Sequence, residues 1–361
     1  MTPSGASPPA ALESVPELAE SAATRAAVAR LRNTLRTLGS GPRFALGQED
    51  ATAYGVGWWG DADRSDFKSV CGSHPAVYGW DLGRIGADKN LDAVPFATIR
   101  ALIQDAHRRG ALNTVSWHHD NPATGGDSWD TTRAVEAIVP GGRLHAKYRT
   151  ELDRVADFLA SCRGDSGELV PIIFRPFHEH TGSWFWWGLA HATDDEYAAL
   201  FRFTVDYLRR ERGLRQLLFA FSPAGWGIDS EAKYLVRYPG DDYVDVLGFD
   251  HYYADDARDL VRAAEIAVAI AERRGKIAAI TEFGIKGTLA DPVVSPERWF
   301  SESFLSPLLQ SPTAARIAYA LAWRNGDEKH FFVPFPGHVA ADDFRRVCDH
   351  PATVLERDLP L

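Results

Sequence analysis

Two glutamates that end apolar runs are the residues best suited to chemistry in this chain: Glu179 in IIFRPFHEHTGSWFWWG and Glu282 in IAAITEFG. Each follows a β-branched and aromatic stretch that reads as a buried strand, and each leads into Gly-containing loop sequence. Cleavage of a glycosidic bond by double displacement needs two carboxyl groups about 5–5.5 Å apart, one protonated and one ionised. Apolar surroundings favour the protonated form. Glu179, followed by Trp184, Trp186 and Trp187, is therefore the expected acid, and Glu282 the expected nucleophile. Taken singly, either could instead be a salt-bridged glutamate at a strand end.

Strand alternation puts Arg175, Phe177 and Glu179 on one side and Phe174, Pro176 and His178 on the other. With the first side inward, Arg175 lies one layer below Glu179, where it could hold or tune carboxylates. Tyr252 in GFDHYY could present its phenol to Glu282 and favour the ionised state by hydrogen bonding. His178 is expected to shape the acid's pocket and His118 to contact a sugar hydroxyl. Trp184 and Trp323 are expected to stack on sugar, and about half of the other loop tryptophans, among them Trp58, Trp59 and Trp226, to pack. A metal site built from His118, His119, Asp120, His178, Glu179 and His180 is the competing use of these groups. HEH followed by Thr181-Gly182 is not HExxH, and no helix precedes it to display ligands, so no metal and no cofactor are expected.

Eight runs read as the strands that position these residues: Phe44–Gln48, Val77–Leu82, Leu112–His118, Val170–Glu179, Gln216–Ser222, Val244–Asp250, Ile277–Glu282 and Ala318–Arg324. Helix patterns lie near 11–38, 95–109, 145–162, 193–212, 256–274, 296–310 and 340–350, with Pro95, Thr193 and Pro296 at expected starts. This βα alternation of near-continuous apolar strands predicts an α/β protein with a closed parallel (β/α)8 barrel. An open doubly wound sheet competes, but the Gly-rich phosphate loop expected after its first strand is missing. Polar and aromatic residues follow nearly every strand, and a barrel gathers all eight ends on one face. We expect one catalytic domain over 11–361, including an N-terminal helical extension, after a disordered tail at 1–10.

The 361 residues, 45% of them hydrophobic, suffice for one barrel of roughly 250–350 residues or two ordinary domains. No apolar run reaches the roughly 18–20 residues that span a bilayer, so no membrane partner is expected. A net charge of −10 argues against nucleic acid, whereas a neutral polysaccharide makes no charge demand. Cys71, Cys162 and Cys348 form no tight motif. One pair could bridge, leaving at least one thiol. Residues 1–20 lack the basic start and apolar core of a signal peptide.

These motifs resemble glycoside hydrolase family 26, the β-mannanase family. The resemblance rests on SWHHDNP at 116–122, FRPFHEHTGSWFWWG at 174–188, YPGDDYVDVLGFDHYY at 238–253, TEFG at 281–284 and WRN at 323–325. It covers roughly residues 44–350. It implies Glu179 as acid/base and Glu282 as nucleophile of a retaining enzyme acting on β-1,4-mannan or manno-oligosaccharides. It further implies that His118, His178, Trp184, Tyr252, Trp323 and Arg324 contact or orient sugar. His180 departs from the family pattern. The segment GQEDATAYGVGWWGDADRSDFKSVCG also resembles members that release mannobiose from chain ends, which leaves exo action as an alternative to endo. Action on xylan or mixed-linkage glucan and a non-catalytic sugar-binding barrel are the other readings. A secreted or periplasmic location is expected from the resemblance, with a cytoplasmic one as the alternative, and a monomer is expected.

Overall fold

The computed structural model describes residue 19 and residues 21–291 and 296–359. The expected tail at 1–10 lies outside them, as does the first part of the helix expected over 11–38. The described part of that helix runs Ala22–Leu38, capped by Ser21, whose hydroxyl accepts the Thr24 amide.

Among the described residues, thirteen strands follow in chain order. They are β1 Phe44–Glu49, β2 Tyr54–Gly55, β3 Trp58–Trp59, β4 Val77–Asp81, β5 Leu112–Trp117, β6 Ile172–Pro176, β7 Leu217–Phe221, β8 Val246–Leu247, β9 Asp250–Tyr253, β10 Ile277–Ala278, β11 Ile280–Ile285, β12 Tyr319–Ala322 and β13 Thr353–Val354. In the main sheet β1 lies between β4 and β12, and the order continues β4-β5-β6-β7-β8-β10 on one side and β12-β11-β9 on the other, all parallel. β8 and β9 are one interrupted strand, as are β10 and β11. The sheet therefore closes as eight parallel staves, the (β/α)8 barrel expected from the sequence. A short β13 also pairs with β1, and β2 and β3 form a separate antiparallel hairpin. Neither was expected.

The eight expected runs are the eight staves, buried on both faces because the barrel interior is filled and helices cover the outside. Inside, space is tight. A Cβ on Gly79 of β4 would collide with the Glu49 carboxylate from neighbouring β1. Outside, helices Phe96–Arg108, His145–Ser161, Asp194–Asp206 and Arg258–Arg274 lie close to the expected positions. Where one helix was expected near 296–310, a π-helix at Trp299–Leu305 leads into an α-helix at Ser306–Gln310. Among the described residues, no helix is long and apolar enough to cross a membrane.

The fourth expected strand is too long. β6 stops at Pro176, because Phe177 and Glu179 take φ angles of 52° and 51°, in the left-handed region that L-residues with bulky side chains rarely adopt. The period-2 rule fails at that turn, and Phe177 does not share a side with Arg175. It packs outward against Tyr197 and Trp187, while Arg175 points into the barrel.

Cys71 and Cys348 form a disulfide between segments 277 residues apart, and Cys162 is a buried thiol.

Candidate active site

The turn that carries Glu179 is held from behind by ordinary helix chemistry. Thr193 and Glu196 form a capping box at the start of Asp194–Asp206: the Glu196 amide donates to the Thr193 hydroxyl at 3.2 Å, and the Thr193 amide donates to the Glu196 carboxylate at 2.7 Å. That helix presents Tyr197, whose hydroxyl donates to the Phe177 carbonyl at 2.9 Å. Buried Arg237 donates to the carbonyls of His180 and Trp187 and pairs with Asp194 at 3.1 Å. Left-handed backbone at non-glycine residues costs of order 1–3 kcal/mol each and persists only where the surroundings over-determine it. Here they do, and the turn aims Glu179 at the barrel mouth.

Trp184 donates its indole N–H to Oε2 of Glu179 at 2.7 Å. Trp186 and Trp187 do not line the acid's pocket. They are buried and brace the loop by donating to the carbonyls of His119 and His178. Burial pushes the Glu179 carboxyl well above the ordinary range, and the charges of Glu282 and Asp250 add to this against the Trp184 hydrogen bond.

Glu282 sits on β11 in register with Asp250 on β9, so both side chains enter the same layer. Tyr252 donates to Oε2 of Glu282 at 2.7 Å. Arg175 reaches up from β6 and divides its guanidinium between two acids, Nη1 to Asp250 at 2.7 Å and Nη2 to Oε1 of Glu282. Asp250 also accepts from the Thr281 hydroxyl at 2.6 Å. Oxygens of Glu179, Asp250 and Glu282 all lie within 4.8 Å of one another. Arg175 bonds two of these three carboxyls, and Glu179 is the member it does not reach. Burial still pushes Asp250 up to about 8 against the Arg175 charge, so the crowded acids hold proton as a group. Three such oxygens could suit a hard cation, but Arg175 already supplies positive charge to the inner pair.

A second chain of bonds flanks the acid. Asp81, at the end of β4, accepts from Nδ1 of His118 at 2.8 Å, and Nε2 of His118 lies 3.2 Å from Nε2 of His178. Burial opposes the charged form of His118, but Asp81 more than compensates and holds its pKa up. Burial pushes that of His178 well down, with the Arg175 charge adding to it. The shared proton therefore belongs to His118, which donates to His178. Trp323 lies 6.0 Å from the His118 ring, and Arg324 pairs with Asp92 at 3.0 Å.

Of the residues singled out in the sequence, Glu179, Glu282, His118, His178, Trp184, Tyr252, Trp323 and Arg324 all belong to the strand ends and loops of one barrel mouth. The six-residue metal alternative does not converge. His119 turns to Glu151 at 3.0 Å, and His180 is buried between Tyr197 and Phe221. Sequence reasoning missed Asp81 as the partner of His118, and also Trp129, an exposed ring stacked 5.4 Å from His118. Asp81 stood at a strand end, the one available signal. Trp129 lies in an irregular loop and had none.

The profile of glycosyl hydrolase family 26 matches residues 43–301. The chain belongs to that family. The family 26 chain is 36% identical over 359 residues to a mannan endo-1,4-beta-mannosidase of Bifidobacterium adolescentis, covering 91% of this chain and 34% of that protein. It is 32% identical over 210 residues to one of Bacillus subtilis, covering 54% of this chain and 55% of that one. It thus spans about a third and about half of those two relatives. A solved family 26 β-mannanase of Bacteroides ovatus superposes with a TM-score of 0.86 at 39% identity, covering 93% of this chain and 97% of that one. A modular endo-β-1,4-mannanase of Cellulomonas fimi gives 0.86 at 36%, covering 93% and 76%.

Proposed function

We propose that this chain is a retaining β-mannanase that cleaves internal β-1,4-mannosidic bonds. The observation that carries the reading is the placement of Glu179 and Glu282. Their oxygens fall within 4.8 Å, close to the carboxyl separation of about 5–5.5 Å for retention and short of the roughly 6.5–9.5 Å that admits an inverting water. Membership of family 26 and the printed activities of the relatives support the substrate class and the endo mode.

In this reading Glu179 gives its proton to the leaving glycosidic oxygen while Glu282 attacks the anomeric carbon. The C–O bond to the leaving sugar breaks and an ester to Glu282 forms. Glu179, now ionised, takes a proton from water, whose oxygen displaces Glu282 and returns the product with net retention. Arg175 and Tyr252 bond both oxygens of Glu282 and aim it. His118, His178, Trp184, Trp323 and Arg324 contact the sugars on either side. One chain supplies every one of these groups, and we take a single copy to be the working unit. The disulfide and the polymeric substrate both favour an exported protein.

A time course of mannohexaose products tests the reading, and a mixed ladder is expected. Early mannobiose alone would make the action exo. Reducing sugar released from xylan or lichenan but not from mannan would overturn the substrate.

A further inference from the structure

Trp58 and Trp59 are neighbours on β3 with opposite fates. Trp58 is buried, its indole donating to Asp66 at 2.8 Å, while Trp59 is 53% exposed. The exposed ring is nevertheless held rigidly. It stacks on Tyr54 of β2, centroids 4.9 Å apart and planes within 9°. Tyr54 in turn donates to Asp50 at 2.6 Å, and Nη1 of Arg324 lies 3.5 Å from the same hydroxyl. Asp66 ties the hairpin down by accepting from the Val56 amide and from Asn325, both at 2.8 Å. An indole held flat and left open by this many bonds is a preorganised apolar surface, which keeps the entropy cost of binding low.

That surface borders an open cleft of about 680 Å³, with Gly55, Trp58 and Trp59 on one wall and Gly326, Asp327 and Lys329 on the other. One wall offers an aromatic face and the other polar side chains. A pyranose ring has apolar C–H faces and a hydroxyl rim, and this combination fits it. Arg324 links the two places: its Nη1 lies 3.5 Å from the hydroxyl of Tyr54, the ring on which Trp59 stacks.

Its side of the site follows from the barrel. Glu179 faces the leaving-group oxygen, and Trp184 beside it meets Trp226 of the β7 loop at 5.7 Å. In the closed sheet β7 is four staves from β1, directly across the mouth. Trp59, which follows β1, therefore flanks the opposite, glycone side. We propose that Trp59 is the platform of a distal glycone subsite, which grips a sugar unit of the same β-glycan beyond those next to the scissile bond and so sets where along the chain cleavage falls. The proposal rests on the acid and nucleophile roles given above.

The test is the cleavage pattern of mannopentaose in H2(18)O, read by mass spectrometry, for wild type, Trp59→Ala and Trp59→Phe. Loss of the platform weakens registers with more sugars on the glycone side, so Trp59→Ala is expected to shift cleavage toward the non-reducing end. Its kcat/KM ratio for mannohexaose over mannotriose is expected to fall about tenfold, as for loss of one buried aromatic face. Trp59→Phe keeps a smaller ring and is expected to lie between the two. A merely structural role would lower all rates together and leave the pattern in place. An active wild type with an unchanged pattern in Trp59→Ala overturns the platform alone. A wild type that leaves mannopentaose intact overturns the reading of the two glutamates, and the subsite with it.

Discussion

Tyr252 donates its hydroxyl to Oε2 of Glu282 across 2.7 Å, from a strand whose residues run in register with the one that bears the glutamate. Burial pushes the phenol's own pKa well up, so it remains a proton donor throughout the working range. Tyr252→Phe removes that donor with little change in shape. Hydrogen bonds to charged groups contribute about 1.5–3 kcal/mol. The substitution is expected to lower kcat about 10- to 100-fold, with a smaller change in KM, as steady-state kinetics on mannohexaose would show.

Arg175 is buried and bonded to both Asp250 and Glu282. Arg175→Met leaves two acids without the guanidinium bonded to both, and breaking a buried pair this way costs about 3–5 kcal/mol. Denaturant unfolding should register that loss together with loss of turnover. Arg175→Lys keeps the charge but offers a single ammonium for two carboxylates, so it is expected to recover stability better than activity.

The pH profile follows from the raised carboxyl of Glu179. Only the protonated form can donate, so kcat/KM is expected to fall as pH rises through that pKa. The Trp184 hydrogen bond favours the ionised form and so holds the pKa lower than burial alone would set it. Trp184→Phe removes the bond, and the alkaline limb of kcat/KM should move to higher pH. A limb that stays put or moves down would remove Glu179 as its source.

Much of this was legible because barrel strands advertise themselves. LLFAF is apolar throughout and IIFRP is broken only by its arginine, and the polar residues after such strands can only gather on one face. Arg175 was readable as a partner for acids because it interrupts such a run. What failed was local geometry. Phe177 was placed beside Arg175 by a two-residue period that ends at Pro176, where the left-handed turn begins. Nothing in the letters FHEHTG marks that turn, since neither Phe177 nor Glu179 is a glycine. The Tyr54–Trp59 hairpin was missed because strands of two residues leave no periodic trace. Asp81 meets His118 across neighbouring staves 37 residues apart, and Trp184 separates from Trp186 and Trp187 only once the loop is folded. Such pairings are properties of the assembled barrel.

Cys71 and Cys348 close a loop of 277 residues, a pairing that spacing could not reveal. A disulfide restricts the unfolded chain, typically stabilising by about 2–4 kcal/mol. Cys71→Ala or a reducing agent is expected to lower the thermal midpoint by several degrees while leaving kcat nearly unchanged at moderate temperature, because both cysteines lie away from the carboxyl cluster. Equal midpoints with and without reductant would contradict this.

The central claim is that Glu282 forms the covalent bond and Glu179 moves the proton. Its most direct test is Glu282→Ala with an activated aryl β-mannobioside in the presence of azide, the product being identified by proton NMR. The account predicts no turnover without azide and an α-configured glycosyl azide with it, since the small anion enters the space left by the carboxylate. Full hydrolysis by Glu282→Ala, or an azide product of β configuration, would contradict it.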